Sequence, residues 1–169
     1  MSLLGLIAGL SRARVPFVVV GGMAATAHGS ARVTDDLDVC YDTAPSSLAR
    51  LAELLDRWRA YPRGIEPGLP FVMDVQTLRS APTLTLDTSE GRLDLLDTVA
   101  GVGDYVACLA ASEVIAVTID GQSVRFRALT LDALIRAKRA AGRRKDIDQL
   151  VELEAIAATV RRDRSERRK

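Results

Sequence analysis

Apolar residues along this chain are grouped in short runs, and their spacing alternates between the period of a strand and that of a helix. The continuous run FVVV at 17–20 and the alternating run DLDVCY at 36–41 predict a buried and a half-buried strand. Leucines that recur on one helical face predict a helix over 45–58, which Pro45 and Ser46 begin. This alternation predicts an α/β or α+β fold with a mixed β-sheet flanked by helices.

The remaining segments complete a single predicted domain over residues 1–160, with a helical C-terminal part at 130–160. Further helices are expected at 2–13, 23–28, 130–141 and 144–160, further strands at 71–78, 83–87 and 92–97, a hairpin at 114–129, and a helix or loop at 104–112. Three prolines and two glycines predict a loop over 60–70. Thr130 is expected to cap the helix that follows it, and Asp120-Gly121 to form the hairpin turn.

Composition indicates a soluble globular protein with one core. Hydrophobic residues make up 48% and charged residues 27% of the 169, and two cysteines with one histidine argue against a zinc site. The apolar start lacks a basic leader and is too short to span a bilayer, so we expect a cytoplasmic protein without membrane contact. Residues 161–169 carry six basic and two acidic side chains and are expected to form a flexible basic tail.

Carboxylates in apolar strands are the first candidates for chemistry. Asp36 and Asp38 are two residues apart, so they share one face of their strand, while the residues beside them face the core. Their mutual repulsion requires either a proton or a cation, and Mg²⁺ is the usual cation of all-oxygen sites. Asp94, between two leucines of another predicted strand, is a third candidate ligand, and three carboxylates on adjacent strands can hold two metal ions. An exposed edge strand with alternating aspartates is the alternative.

The segment between the first two strands offers candidate phosphate contacts. Gly21 and Gly22 stand between a buried strand and a short helix, where bare backbone amides suit a phosphate, although a simple tight turn explains them equally. The sequence is neither a Walker A loop nor a dinucleotide-binding GxGxxG turn. Arg32 could contact phosphate or form an ion pair with Asp35, and the hydroxyl of Thr34 could anchor the turn into the acidic strand.

Taken together, the pattern GG-x5-HG-x2-R-x-T-x-DLD resembles the signature of the DNA polymerase β-like nucleotidyltransferase superfamily, most closely the small bacterial branch with the AbiEii and MenT-type toxins. Its pieces are Gly21, Gly22, His28, Gly29, Arg32, Thr34, Asp36 and Asp38. The segment LIRAKRAAGRRKDIDQL at 134–150 resembles the K-x3-GR-x-KD-x2-DL segment of that branch. The resemblance spans nearly the whole chain and implies the nucleotidyltransferase fold with C-terminal helices. The superfamily's usual Gly-Ser is Gly-Gly here, which removes one hydroxyl contact to phosphate.

The resemblance also implies a reaction. A nucleoside monophosphate passes from an NTP to an acceptor hydroxyl, and pyrophosphate leaves. Asp36 and Asp38 are expected to bind two Mg²⁺ ions, and Asp94 to join one of them and help deprotonate the acceptor. Gly21 and Gly22 are expected to approach the triphosphate.

Two residues of the C-terminal part are further candidates through the resemblance. Lys138 is expected to reach the triphosphate, although a solvated helix face is the alternative for it and its basic neighbours. Asp146 is expected to be a fourth functional carboxylate, which orients a basic residue or the nucleobase rather than binding metal. Gly142 is expected to break the helix between them. His28 is a candidate general base or a structural residue at a helix end.

The acceptor is implied by the resemblance alone. The branch precedent indicates RNA, particularly the 3′ end of tRNA, and a toxin-like enzyme with a cognate antitoxin protein as its partner. The basic tail could contact RNA phosphates or serve only solubility. A protein or a small molecule such as an aminoglycoside remains open as acceptor. So does a non-catalytic antitoxin or scaffold with the same fold, against which the intact acidic cluster argues.

Overall fold

The computed structural model describes residues 3–66, 68–119, 122–142 and 144–166, except for the side chains of 118, 119, 122, 144–146 and 164. The helices are α1 (Leu3–Arg12), α2 (Gly21–Ala27), α3 (Pro45–Arg57), α4 (Val75–Ser80), α5 (Tyr105–Ala110), α6 (Leu131–Ala141) and α7 (Arg144–Glu166). The strands are β1 (Phe17–Val20), β2 (Asp36–Tyr41), β3 (Tyr61–Pro62), β4 (Thr83–Asp87), β5 (Arg92–Leu96), β6 (Thr98–Val99), β7 (Gly103–Asp104), β8 (Ser112–Ile119) and β9 (Gln122–Leu129). Within this part of the chain, no helix combines the length and the apolar character needed to cross a membrane.

Seven strands of the described residues form one mixed sheet, in the order β3-β4-β5-β2-β1-β9-β8. Strands β1 and β2 are antiparallel, whereas β2 with β5 and β1 with β9 are parallel. The predicted mixed sheet flanked by helices is confirmed, and so is the hairpin, whose arms are β8 and β9. Its predicted turn, Asp120-Gly121, lies outside the described residues.

The alternation of β2 separates an apolar face from a polar one. Leu37 and Val39 are fully buried in the core, whereas Asp36 and Asp38 are only partly buried on the other face, as the spacing predicted. Helix α2 follows β1 directly and packs on β1 and β2, and α6 packs on α2 and α7. The beginning of α2 and the helical C-terminal part are therefore held beside the polar face of β2.

The predicted strand at 71–78 is wrong. The chain there is a loop followed by α4, because the Asp74 side chain caps this helix by accepting a hydrogen bond from the Thr77 N–H at 2.8 Å. The Thr77 hydroxyl also donates to the carbonyl of Val72 at 2.8 Å and so closes the turn before the helix. Local capping thus overrides the β propensity of the apolar residues in this stretch.

Two helix ends differ from those predicted. Helix α2 begins at Gly21 itself, so both glycines belong to its first turn. Helix α7 continues to Glu166, beyond the predicted end at about residue 160. Arg161 in this extension lies 3.6 Å from Asp132 at the start of α6. The first residues of the expected basic tail therefore extend a helix, and 167–169 lie outside the described residues.

Candidate active site

The register of the central strands brings three carboxylates to one place. In the parallel pair β2 and β5, Asp38 lies directly beside Asp94. Asp36 is two residues before Asp38 on the same face of β2. Neighbouring strands are about 4.8 Å apart, so the three side chains form one acidic cluster.

The glycines at the start of α2 are required by close contacts within the protein. Gly21 has φ +60, and a Cβ there would overlap the carboxylate of Asp38. A Cβ at Gly22 would lie 2.6 Å from the hydroxyl oxygen of Thr34. The N–H of Gly22 also donates to Asp38 Oδ2 at 3.4 Å. The two glycines thus let the helix start approach the acidic cluster, whatever they contribute to phosphate binding.

Thr34 fixes the entry into the acidic strand, as its sequence position predicted. Its hydroxyl donates to Asp36 Oδ1 at 2.9 Å and lies 3.2 Å from the Asp36 carbonyl. Because one carboxylate oxygen is held by this contact, the side chain of Asp36 is oriented by its own loop.

Arg32 pairs with α7 and not with Asp35, the ion pair considered from the sequence. Its Nε lies 3.4 Å from Glu152 Oε2. Glu152 also accepts hydrogen bonds from the Ser30 hydroxyl at 3.0 Å and from the Ala31 N–H at 2.8 Å. The pKa of Glu152 is lowered, chiefly by the Ala31 N–H, which favours its charged form. One carboxylate of α7 therefore anchors the loop that precedes the acidic strand.

Lys138 lies in the last turn of α6. As predicted, Thr130 caps the start of this helix with its hydroxyl, 3.3 Å from the Ala133 nitrogen, and Gly142 ends it with φ +60. Asp146 belongs to α7, but its side chain lies outside the described residues.

His28 caps the C-terminal end of α2, and its side chain contacts β8 and β9 rather than the acidic cluster. Its Nε2 lies 2.8 Å from the carbonyl oxygen of Leu129, a hydrogen-bond distance, and 3.8 Å from Glu113. It lines a separate cavity with Glu113 and Thr130. The structural interpretation of this histidine therefore accounts for its position better than a role as general base does.

Burial and the neighbouring carboxylates together raise the pKa of Asp38. The pKa of Asp38 is raised from 3.8 to about 6, first by burial and then by the charges of Asp36 and Asp94. The N–H of Gly22 and the charge of Lys138 act in the opposite direction and only partly compensate. The proton on Asp38 is therefore favoured by burial and by two neighbouring carboxylates.

Arg63, which sequence reasoning missed, supplies positive charge to the rim of this cluster. Its guanidinium lies 3.0 Å from Asp94 Oδ1 and 3.8 Å from Asp36 Oδ2. It also lies 3.5 Å from Asp87 at the end of β4. Arg63 is in the Pro- and Gly-rich loop that follows β3, remote from the acidic motif in sequence. No pattern in this loop indicates that its side chain reaches β2 and β5.

A cavity of about 300 Å³ opens at the acidic cluster. It is lined by Gly21, Gly22, Arg32, Val33, Thr34, Asp36, Asp38, Asp94, Lys138 and Gln149. The structure thus brings together the candidate metal- and phosphate-binding residues whose side chains it describes, whereas His28 lies at the separate cavity. Gln149, a largely buried residue of α7, also lines the cavity. The sequence analysis did not identify it, because it belongs to no recognisable motif.

The carboxylates fit Mg²⁺ by their chemistry, with one condition on their arrangement. Among the described side chains, no group of three or more His, Cys, Asp or Glu residues stands ready to hold a metal ion. Three aspartates offer the hard oxygen donors that Mg²⁺ prefers, and the charges of Asp36 and Asp94 add to burial in raising the pKa of Asp38. The Arg63 guanidinium, however, contacts both Asp36 and Asp94. A cation at this place competes with the guanidinium for these two carboxylates.

Comparison with known proteins adds a family and a fold. Residues 7–163 match the family described as "Nucleotidyltransferase of unknown function (DUF6036)". A solution structure of the antibiotic-resistance factor ANT(2'')-Ia resembles this chain with a TM-score of 0.54 and 15% identity, over 97% of this chain and 92% of that one. At this identity the likeness concerns the fold alone. No protein of curated function matches the sequence significantly.

These findings support the nucleotidyltransferase superfamily that the sequence pattern indicated, and the fold expected from it. They do not support membership of the AbiEii and MenT-type branch, because the matching family is a different one, whose function is unknown.

Proposed function

Because this chain belongs to the DUF6036 family of nucleotidyltransferases, we propose that it is an Mg²⁺-dependent cytoplasmic enzyme of the EC 2.7.7 type. It moves a nucleoside monophosphate from an NTP to an acceptor hydroxyl. The observation that carries the proposal is the single cavity that three aspartates, the start of α2 and Lys138 line together. Its lining combines three carboxylates with two cations, Arg32 and Lys138, which suits a metal-bound triphosphate, whose phosphates need cations and whose metal needs carboxylates.

Asp36, Asp38 and Asp94 would hold two Mg²⁺ ions, and bound Mg²⁺ would supply charge neutralisation for the reacting phosphate. The acceptor oxygen forms a bond to the α-phosphorus, and the bond from this phosphorus to the bridging oxygen breaks, which releases pyrophosphate. Asp94 takes the proton of the acceptor hydroxyl and passes it to solvent.

The other cavity residues bind and orient the donor. The backbone amides at Gly21 and Gly22 and the side chains of Arg32 and Lys138 face the triphosphate, and Thr34 keeps the Asp36 carboxylate in place. For Asp146 the proposed role remains that of a carboxylate that orients a basic residue or the nucleobase.

RNA, in particular the 3′ end of tRNA, is the acceptor that we propose first, in a toxin-like enzyme with a cognate antitoxin. Six basic residues in 161–169 support it, because they can bind phosphates near the helical C-terminal part. An aminoglycoside is the second candidate. It is supported by the fold shared with an antibiotic-resistance factor and by the acidic cluster, which suits a cationic acceptor.

Transfer of label tests this proposal. Purified protein is incubated with Mg²⁺ and each of the four NTPs labelled at the α-phosphate, with total tRNA in one arm and aminoglycosides in the other. Asp38→Ala removes the central carboxylate, and Asp148→Ala is the matched control, because Asp148 is an exposed aspartate outside the cavity.

Label on RNA from the wild type and from Asp148→Ala, but not from Asp38→Ala, supports the RNA acceptor. Label on the aminoglycoside alone contradicts the RNA acceptor and supports the aminoglycoside in its place. No transfer to either acceptor, with no pyrophosphate released from any NTP, contradicts the proposed activity.

A further inference from the structure

The guanidinium of Arg63 lies at the rim of the acidic cluster, within ion-pair distance of three carboxylates. Its closest contact is Asp94 Oδ1 at 3.0 Å, followed by Asp87 Oδ1 at 3.5 Å and Asp36 Oδ2 at 3.8 Å. Two of these three aspartates, Asp36 and Asp94, line the cavity and are the proposed metal ligands. The side chain thus compensates part of the charge that a metal ion would compensate.

Arg63 is anchored outside the cavity and reaches inward from the edge of the sheet. Its backbone N–H donates to the Thr85 carbonyl at 2.8 Å, and its side chain donates to the Leu86 carbonyl at 3.1 Å, both on β4. The backbone bond fixes the main chain at this position. The guanidinium nitrogen Nη2, which donates to Leu86, also lies beside Asp94, so the guanidinium gives up the bond to Leu86 when it leaves β5 and β2. A change of rotamer moves the charge away without moving the strand.

The guanidinium of Arg63 does not use all of its hydrogen-bond donors. Nε is buried and makes no hydrogen bond to any described residue, although Asp87 is within ion-pair distance. The contact to Asp36 at 3.8 Å is also longer than a hydrogen bond. Arg63 side-chain exposure is 26%, so water can take over its remaining contacts when it leaves.

We propose that Arg63 is a positioning residue that stands in for the metal ion, and that it sets the metal affinity of the site by competing for Asp36 and Asp94. In the metal-free protein it holds the two carboxylates together, and it withdraws when a divalent cation binds. This inference rests on the proposed function, because it takes these carboxylates as the metal ligands.

The metal affinity of variants that lack one positive charge tests the inference, and this measurement does not require catalytic activity. Mn²⁺ binding is measured by loss of the free-ion EPR signal for the wild type, Arg63→Gln and Arg92→Gln. Arg92, the first residue of β5, is the matched control. It carries the same charge as Arg63 but pairs with Asp87 at 3.6 Å rather than with the proposed ligands. Asp38→Ala in each background shows whether the bound ion is at this cluster.

Arg63→Gln is expected to bind Mn²⁺ about tenfold more tightly than the wild type, since the ion no longer has to displace the ion pairs of Arg63 with Asp94 and Asp36. Arg92→Gln is expected to change the affinity less than about twofold, because the Arg92 side chain is 57% exposed and its ion pair is with Asp87, not with a proposed ligand. A purely structural role of Arg63 predicts the opposite sign, because a disordered cluster binds metal less well.

Equal affinity of the wild type and Arg63→Gln overturns the role of Arg63 and leaves the metal site intact. Absence of binding to both proteins overturns the metal site and this inference with it. Binding to Arg63→Gln alone supports both, with the wild-type site masked by the guanidinium.

Thermal unfolding gives a second readout if the variant is unstable. Arg63→Gln is expected to lose thermal stability in EDTA and to regain it with Mn²⁺, more than the wild type gains. Instability that Mn²⁺ does not relieve means that Arg63 serves the fold alone, which contradicts the inference.

Discussion

Replacement of Asp38 by Asn should make the metal-free protein more stable at neutral pH, although it removes a proposed metal ligand. The carboxylate is held at high cost between two other aspartates in a partly buried position, which raises its pKa to about 6. Asn keeps the size of the side chain and an oxygen that can accept the hydrogen bond from the Gly22 N–H. The substitution therefore removes mainly the charge.

The magnitude follows from the pKa difference between the folded and the unfolded state. A rise from 3.8 to about 6 is roughly two pH units, at 1.36 kcal/mol each, so full ionisation of Asp38 costs the fold about 3 kcal/mol. The direction in which stability changes with pH depends on whether the folded or the unfolded state binds more protons. Between pH 4 and pH 6 the folded state holds the proton more tightly, so the free energy of unfolding of the wild type decreases as pH rises through this window.

Urea unfolding in EDTA, from pH 4 to pH 8, measures this effect. The difference between Asp38→Asn and the wild type should be near zero at pH 4, where the wild-type carboxyl is protonated, and should reach about 3 kcal/mol above pH 7. Asp148→Asn, at an exposed position, should show no such pH dependence. A difference that is the same at pH 4 and pH 8 would refute the electrostatic reasoning and point to packing.

Three further outcomes are expected. Gly21→Ala should destabilise the fold by about 1–2 kcal/mol or more in urea unfolding and stop transfer, since its Cβ would overlap the Asp38 carboxylate at φ +60. Gly5→Ala, where a Cβ meets open space, should do neither, and equal effects of the two substitutions would contradict this reasoning. Glu152→Gln should raise the KM for NTP by about fivefold with kcat nearly unchanged, because the loop with its phosphate-facing arginine loses an ion pair; an unchanged KM would argue against that anchor. The thiols of Cys40 and Cys108, both fully buried, should react with Ellman's reagent only on unfolding, and fast labelling of the native protein would contradict their burial.

Local pattern determined much of this protein. The alternation of β2 by itself places Asp36 and Asp38 on one face, because the period of a strand depends on backbone geometry alone. The helix cap at Thr130 and the helix end at Gly142 are equally local, and both are as expected. Where two local signals compete, as between β propensity and the Asp74 cap, pattern alone gave the wrong element.

Only the tertiary structure decided which residues meet. That Asp94 lies beside Asp38 follows from the pairing of β2 with β5, and the partner of Arg32 comes from α7, far along the chain. Arg63 lies in an irregular loop that has no periodicity to reveal its direction, yet its charge reaches the acidic cluster. Contacts of this kind depend on strand order and register, which arise from burial of the whole core. They are therefore absent from any short stretch of sequence.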